Sequence, residues 1–279
     1  MMIIWISSYP KSGNTYLRSF LSSYYYSKDG KFDFNLLLNI NQFPALRYSD
    51  SKSYTYVEAA KNWIIDQKKF FNKEKLFFLK THNSLQEYFG YRFTESSETL
   101  GAIYIVRDPR NVISSMCNHY TMNFNEMYNK MIDENASLSI KNSDGNLSNF
   151  SFLGSWSNHY KSWKNNFEFK TLFIKYEDLE EDAHNQFWKI LSFIEDLTGK
   201  NEPIDKKKFE NSINSTNFSS LKQKEKLQGF KESPTFKKDN KTNFFNLGFK
   251  NKWQQNLPEE ISNKIKNKFF NELKELKYE

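Results

Sequence analysis

Residues 9–16 read Tyr-Pro-Lys-Ser-Gly-Asn-Thr-Tyr, one lysine among small and hydroxyl-bearing residues, set between an apolar run and an amphipathic one. A turn of this kind aims backbone N–H groups and a helix N-terminus at an anion. Lys11 adds a full charge, and Ser12 and Thr15 add hydroxyl donors. The loop is not the ATP-type G-x-x-x-x-G-K-[ST], because Lys11 precedes its only glycine, Gly13. An ordinary strand-to-helix turn with an exposed lysine is the plain alternative. A second group, Lys80-Thr81-His82, closes another apolar run. A neutral imidazole there can act as a general base, or be a structural histidine bonded to a backbone carbonyl. The third pair is Arg107 and Ser115, which flank the start of a helix pattern. A guanidinium and a hydroxyl in that arrangement can clamp a second phosphate; a surface arginine paired with Asp108 is the alternative. His119, His159 and His184 have no comparable placement, and no His/Cys/Asp/Glu spacing suggests a metal site.

These groups need elements to position them. The apolar runs at 2–6, 75–82, 100–110 and 171–179 read as strands buried on both faces. Tyr16, Leu17, Phe20, Leu21 and Tyr24 give the segment after the first loop one apolar helical face. Asp108 fits a helix N-cap and Pro109 the first helical position. Helices are expected near 57–70, 156–167, 182–198 and 258–277, whereas 28–60 reads as irregular. Residues 123–150, rich in Asn, Ser and Asp, read as a mobile loop or lid, and 219–243 as a long loop. Strands alternating with helices give an α/β fold with a central parallel sheet flanked by helices. In such sheets ligands bind beyond the carboxyl ends of the strands. Lys11, His82, Arg107 and Tyr176 all lie at such ends, which points to one shared site.

Composition sets the outer limits. The 279 residues, 38% hydrophobic and 18% aromatic, suit a single well-filled domain over 1–279. A net charge of +7 favours anionic ligands. The lysines are scattered rather than gathered, so a nucleic-acid partner is not indicated. Cys117 is the only cysteine, which excludes an internal disulfide. The N-terminal apolar run is too short for a signal peptide, and no stretch is long enough to span a bilayer, so a reducing, cytoplasmic setting is expected.

Taken together, the three groups resemble one family, the cytosolic-type sulfotransferases that use 3′-phosphoadenosine 5′-phosphosulfate (PAPS). That family's 5′-phosphosulfate loop, Y-P-K-S-G-T-T-W, is similar to residues 9–16, with Asn14 for the usual Thr and Tyr16 for Trp. Its K-T-H segment matches Lys80-Thr81-His82, its 3′-phosphate pair matches Arg107 and Ser115, and its Tyr-Glu-Asp segment starts at Tyr176. A weaker match to T-S-F-x-x-M begins at Thr216 and includes Phe218. The C-terminal motif R-K-G-x-x-G-D-W-K departs: Gly248 and Trp253 are kept, but Asn246 and Leu247 stand where the basic pair would be. Either Lys250 or Lys252 substitutes, or that end of the donor is held more loosely.

The resemblance implies a P-loop-like, three-layer fold and sulfuryl transfer from PAPS, with 3′,5′-adenosine bisphosphate (PAP) released and no metal. It implies His82 as the base, Lys11 and Lys80 as catalytic cations, and a donor site of Lys11, Ser12, Gly13, Asn14, Thr15, Tyr16, Arg107, Ser115, Tyr176, Thr216, Phe218, Gly248 and Lys250. The acceptor, a small molecule, glycan or lipid, and the oligomeric state are not readable. A P-loop kinase using ATP and a catalytically silent nucleotide- or sulfated-glycan-binding protein are the competing readings.

Overall fold

A computed structural model describes residues 2–50, 52–70, 75–200, 202–233 and 243–279. Four strands, β1 (Met2–Ser8), β2 (Leu76–Thr81), β3 (Thr99–Val106) and, after a separate antiparallel hairpin of β4 (Ser137–Lys141) and β5 (Leu147–Phe152), β6 (Lys170–Lys175), build the architecture. The main sheet has the order β2-β1-β3-β6 and is parallel throughout. Side chains alternate across it, as the two-residue repeat of a strand requires. Ile3, Trp5, Tyr104 and Val106 enter one core, and Ile4, Ile6, Ile103 and Ile105 the other. Both faces are therefore covered, and the strands read as unbroken apolar runs for that reason.

The helices are α1 (Asn14–Tyr26), α2 (Tyr56–Phe70), α3 (Pro109–Tyr120), α4 (Phe124–Ile132), α5 (Trp156–Lys164) and α6 (Tyr176–Glu181). They continue with α7 (Ala183–Thr198), α8 (Lys206–Thr216), α9 (Phe218–Gln228), α10 (Trp253–Asn256), α11 (Glu259–Lys268) and α12 (Phe270–Glu275). On the Trp5 face, Trp63 of α2, Trp156 and Trp163 of α5 and Ile261 and Ile265 of α11 fill the core. On the other, Leu17, Phe20 and Leu21 of α1 meet Phe187, Ile190 and Ile194 of α7, and Phe20 stacks on Phe187 with centroids 3.9 Å apart. Burying one such side chain contributes about 1.5–3 kcal/mol. In the sheet order, chain connections leave β1 toward β2 on one side while β3 lies on the other. The crevice beyond the ends of β1 and β3 is thus a topological switch point.

Several expected boundaries shift. Residues 123–150 are not one loop: they hold α4 and most of the β4–β5 hairpin. A reciprocal capping box between Asn123 and Glu126 starts α4, and Met127 and Met131 are fully buried. Residues 219–228 continue α9, which is held by the buried Leu221 and Glu225; residues 234–242 lie outside the described residues. The fourth long strand stops at Lys175, and Tyr176 opens α6. The C-terminal helical segment breaks at Phe269 into α11 and α12.

Candidate active site

The loop after β1 is shaped by two left-handed residues. Lys11 adopts φ 64 despite its side chain, and Gly13 adopts φ 102. A Cβ at Gly13 would lie 2.3 Å from Cδ2 of Tyr176, so only glycine lets the loop pass beneath that ring. Gly13 caps α1 without any side-chain bond, leaving the helix N-terminus open toward a cavity of about 1210 Å³. Lys11 enters this cavity with its Nζ 3.7 Å from the centroid of the Phe244 ring. Burial, with Lys80 and Arg107 nearby, brings its ammonium down to about 7.

Arg107 follows β3 and reaches back to the loop. Its Nη1 donates to the Lys11 carbonyl at 3.2 Å, and its guanidinium lies 4.1 Å from the centroid of the Tyr176 ring. Its Nε is buried with no hydrogen-bond partner among the described residues. Ser115 faces the same cavity from α3. The Asp108 alternative is resolved against Arg107: Asp108 caps α3 and pairs with Arg110 at 2.8 Å instead.

His82 follows β2. Its Nδ1 donates to the Ser8 carbonyl at 2.8 Å, which leaves Nε2 without a proton whenever the ring is neutral. Burial, reinforced by Lys80, holds the imidazole well below its usual range. Lys80 is buried beside it, and its Nζ lies 3.3 Å from Oε2 of Glu232. Arg18 of α1 grips the other oxygen of that carboxylate at 2.8 Å. Burial opposes ionisation of Glu232, but Lys80 and Arg18 outweigh it and hold the carboxyl below its usual range.

Lys11, Gly13, Asn14, Thr15, Tyr16, Lys80, His82, Arg107, Ser115, Tyr176, Phe218 and Gly248 all line the one cavity. Three expected donor-site residues do not. Ser12 is fully buried, with its hydroxyl unpartnered among the described residues. Thr216 donates its hydroxyl to the Ser212 carbonyl at 2.6 Å. Lys250 is exposed away from the cavity, and Lys252 is exposed too. From the C-terminal motif the cavity receives Asn246, Leu247, Gly248 and Asn251; the buried Oδ1 of Asn251 is unpaired among the described residues. Phe218 packs so closely on Gly248 that a Cβ there would come within 2.4 Å of its ring. Asn14 lines the cavity, but its amide is engaged inward, donating to the Ile6 carbonyl at 2.9 Å and to Ser8 Oγ at 3.3 Å.

Sequence reasoning missed His119 and the Arg18–Glu232 pair. His119 lines the cavity from the turn of α3 after Ser115, and burial together with Lys11 lowers it to about 4. Its spacing of four from Ser115 was the available signal. Glu232 sits in a polar stretch with no periodicity and offered none.

The sulfotransferase domain family profile matches residues 3–277. The chain belongs to that family, and the protein is a sulfotransferase. No curated protein sequence matches it. Among solved structures it is similar to mouse sulfotransferase SULT7A1 complexed with PAP, at 17% identity and a TM-score of 0.57, covering 98% of this chain and 84% of that one. It is also similar to retinol dehydratase in complex with androsterone and PAP, at 17% identity and a TM-score of 0.59, covering 98% of this chain and 80% of that one. These likenesses establish the shared fold.

Proposed function

We propose that this enzyme moves a sulfuryl group from PAPS to a hydroxyl or amine, with His82 as general base. The observation that carries the reading is the meeting of His82, Lys11 and Arg107 in one cavity at the switch point of the sheet. The donor fits the groups available there: an uncapped helix N-terminus, a desolvated lysine, and an arginine with an unspent buried Nε. Lys11 and the α1 N-terminus would hold the 5′ end, and Arg107 with Ser115 the 3′-phosphate that separates this donor from ATP. With Lys250 outside the cavity, Asn246 and Asn251 are the polar residues of the C-terminal motif that line it. Asn251 Nδ2 already donates to the Asn111 carbonyl at 2.8 Å, so its free Oδ1 suits a hydrogen-bond donor of the nucleoside rather than the phosphate.

The division of labour follows from charge. As the acceptor oxygen attacks sulfur, His82 Nε2 takes its proton, and the S–O bond to the phosphate breaks with its electrons going to that phosphate. Lys11 neutralises the charge growing on the leaving oxygen, where a preorganised cation is worth most. Lys80 stays close to its carboxylate partner and contributes positive potential beside His82. The acceptor would enter past Leu38, Ile140, Asn41 and Arg47, a mixed apolar and polar wall. A cytoplasmic setting is carried by the likeness of the motifs to the cytosolic-type family.

The test is an acceptor screen with radiolabelled PAPS, run beside calorimetric titration of PAP and of ATP with Mg²⁺. PAP binding tighter than ATP, together with transfer that disappears in His82→Ala, is expected. Tighter ATP binding with phosphoryl transfer would give the site to a kinase, and PAP binding with no transfer to any acceptor would leave a binding protein.

A further inference from the structure

Two buried side chains off the cavity hold the turn that carries His82. Tyr104 on β3 and His159 on α5 are 1% and 0% exposed, and neither lines the cavity. His82 Nδ1–H donates to the Ser8 carbonyl at 2.8 Å. On the other side of the turn, the Tyr104 phenol donates to His159 Nδ1 at 2.7 Å, and His159 Nε2–H donates to the His82 carbonyl at 3.0 Å.

The direction of every step is fixed. A carbonyl only accepts, so His82 Nδ1 and His159 Nε2 must carry the protons. A neutral imidazole has one N–H, so His159 Nδ1 accepts and the phenol donates. Burial lowers His159 to about 4, which keeps it neutral over the working range. The rest of α5 grips the same turn: Trp163 Nε1 donates to the Asn83 carbonyl at 3.0 Å, and Ser162 Oγ accepts from Leu85 N–H at 2.9 Å.

We infer that Tyr104 and His159 are positioning residues, whose hydrogen-bonded link to the His82 carbonyl holds that turn where His82 Nδ1–H meets the Ser8 carbonyl, and so sets the tautomer of His82. The inference rests on His82 being the base. If His159 lost its anchor at Tyr104, its Nε2–H would leave the His82 carbonyl, and the His82 ring would drift off the Ser8 carbonyl. The imidazole could then exchange tautomers and place a proton on Nε2, where a lone pair is needed.

The chain has four histidines, so imidazole nitrogen NMR of the full-length protein resolves each ring. That readout needs no acceptor. Wild type should show His82 as the Nδ1–H tautomer and His159 as the Nε2–H tautomer. Tyr104→Phe keeps the ring packing but removes the link, and should turn the His82 signal into a tautomer mixture. Transfer from radiolabelled PAPS to 2-naphthol should fall about 10- to 100-fold, with PAP affinity changed by no more than about threefold. His159→Gln keeps a donor near the Nε2 position and should retain more activity than His159→Leu.

A Tyr104→Phe protein with the wild-type His82 tautomer overturns the inference. So does an equal loss in His159→Gln and His159→Leu that tracks loss of PAP binding, because that pattern marks packing alone. The parent reading fails separately. His82→Ala with ordinary transfer removes the base, whereas an inactive His82→Ala beside an unaffected Tyr104→Phe removes only the positioning role.

Discussion

The Lys11 ammonium and the His82 imidazole share one desolvated cleft, and both lose protons more readily there than in water. In the proposed reaction Lys11 must be charged and His82 neutral, so their ionisations bound the active range from opposite sides. For the free enzyme kcat/KM should rise with pH as His82 deprotonates, well below 6.5, and fall as Lys11 deprotonates near 7. An unperturbed imidazole would give one ionisation near neutrality; burial and Lys80 move it down and Lys11 adds the second limb. Bound donor anion favours the charged lysine, so the falling limb of kcat should lie at higher pH than that of kcat/KM. A profile measured from pH 4 to 10 that rises through the whole interval would remove Lys11 from the free-enzyme titration. Lys11→Ala should cut kcat by about 100- to 1000-fold while weakening PAP binding less, since the charge it meets develops during transfer. Normal kcat at saturating PAPS would exclude that role.

At the scale of elements, the Lys11 loop depends on a steric fit as well as on the Arg107 bond to its carbonyl. Gly13 sits at φ 102 directly beneath Tyr176, the first residue of α6. Gly13→Ala should cost roughly 1–3 kcal/mol in backbone strain, and more because the methyl meets an immobile ring at 2.3 Å. The expected readout is a lowered melting temperature together with lost PAP binding, and a variant that keeps both would mean that the loop relaxes freely. Legibility follows the same physics. The four long strands and α1, α3 and α7 could be read because buried apolar residues repeat at strand or helix spacing. The α9 helix could not, because what fixes it is Glu225, whose carboxylate accepts from Phe244 N–H at 2.6 Å, Phe245 N–H at 2.9 Å and Ser233 Oγ at 2.5 Å. A polar side chain turned inward looks like surface in a one-dimensional pattern. Glu225→Ala should leave those two backbone donors unpaired, at about 1–3 kcal/mol each, and amide exchange at Phe244 and Phe245 should speed up first. Unchanged protection there would show that the strap is held by its phenylalanines instead.

Over the whole molecule, the cavity collects residues from the loops after β1 and β3, from β2, α1, α3, α6 and α9, and from the segment before α10, so a nucleotide seated there ties together parts far apart in sequence. That convergence was legible because Lys11, His82, Arg107 and Tyr176 each follow a strand of one parallel sheet. Arg18 with Glu232, and the Tyr104–His159 link, were not legible, since each pair joins residues more than fifty positions apart without a local signature. The linkage gives a global readout. A ligand at 100 times its Kd stabilises the fold by about 2.7 kcal/mol, a shift of roughly 5–10 °C for a chain of this size. PAP should therefore raise the melting temperature more than 5′-AMP, which lacks the 3′-phosphate. The excess belongs to charge-assisted contacts of about 1.5–3 kcal/mol each; among the described residues Arg107 and Arg18 are buried arginines with an unpartnered Nε, and Arg18 is already paired with Glu232. Arg107→Lys should abolish the excess while keeping most of the 5′-AMP shift, because lysine keeps the charge but loses the planar fork and its stacking on Tyr176. Lys250→Ala and Lys252→Ala should leave both shifts unchanged, as both side chains are exposed and neither residue lines the cavity. An Arg107→Lys protein that still distinguishes PAP from 5′-AMP, beside a Lys250→Ala or Lys252→Ala protein that does not, would move the 3′-phosphate from β3 to the C-terminal segment.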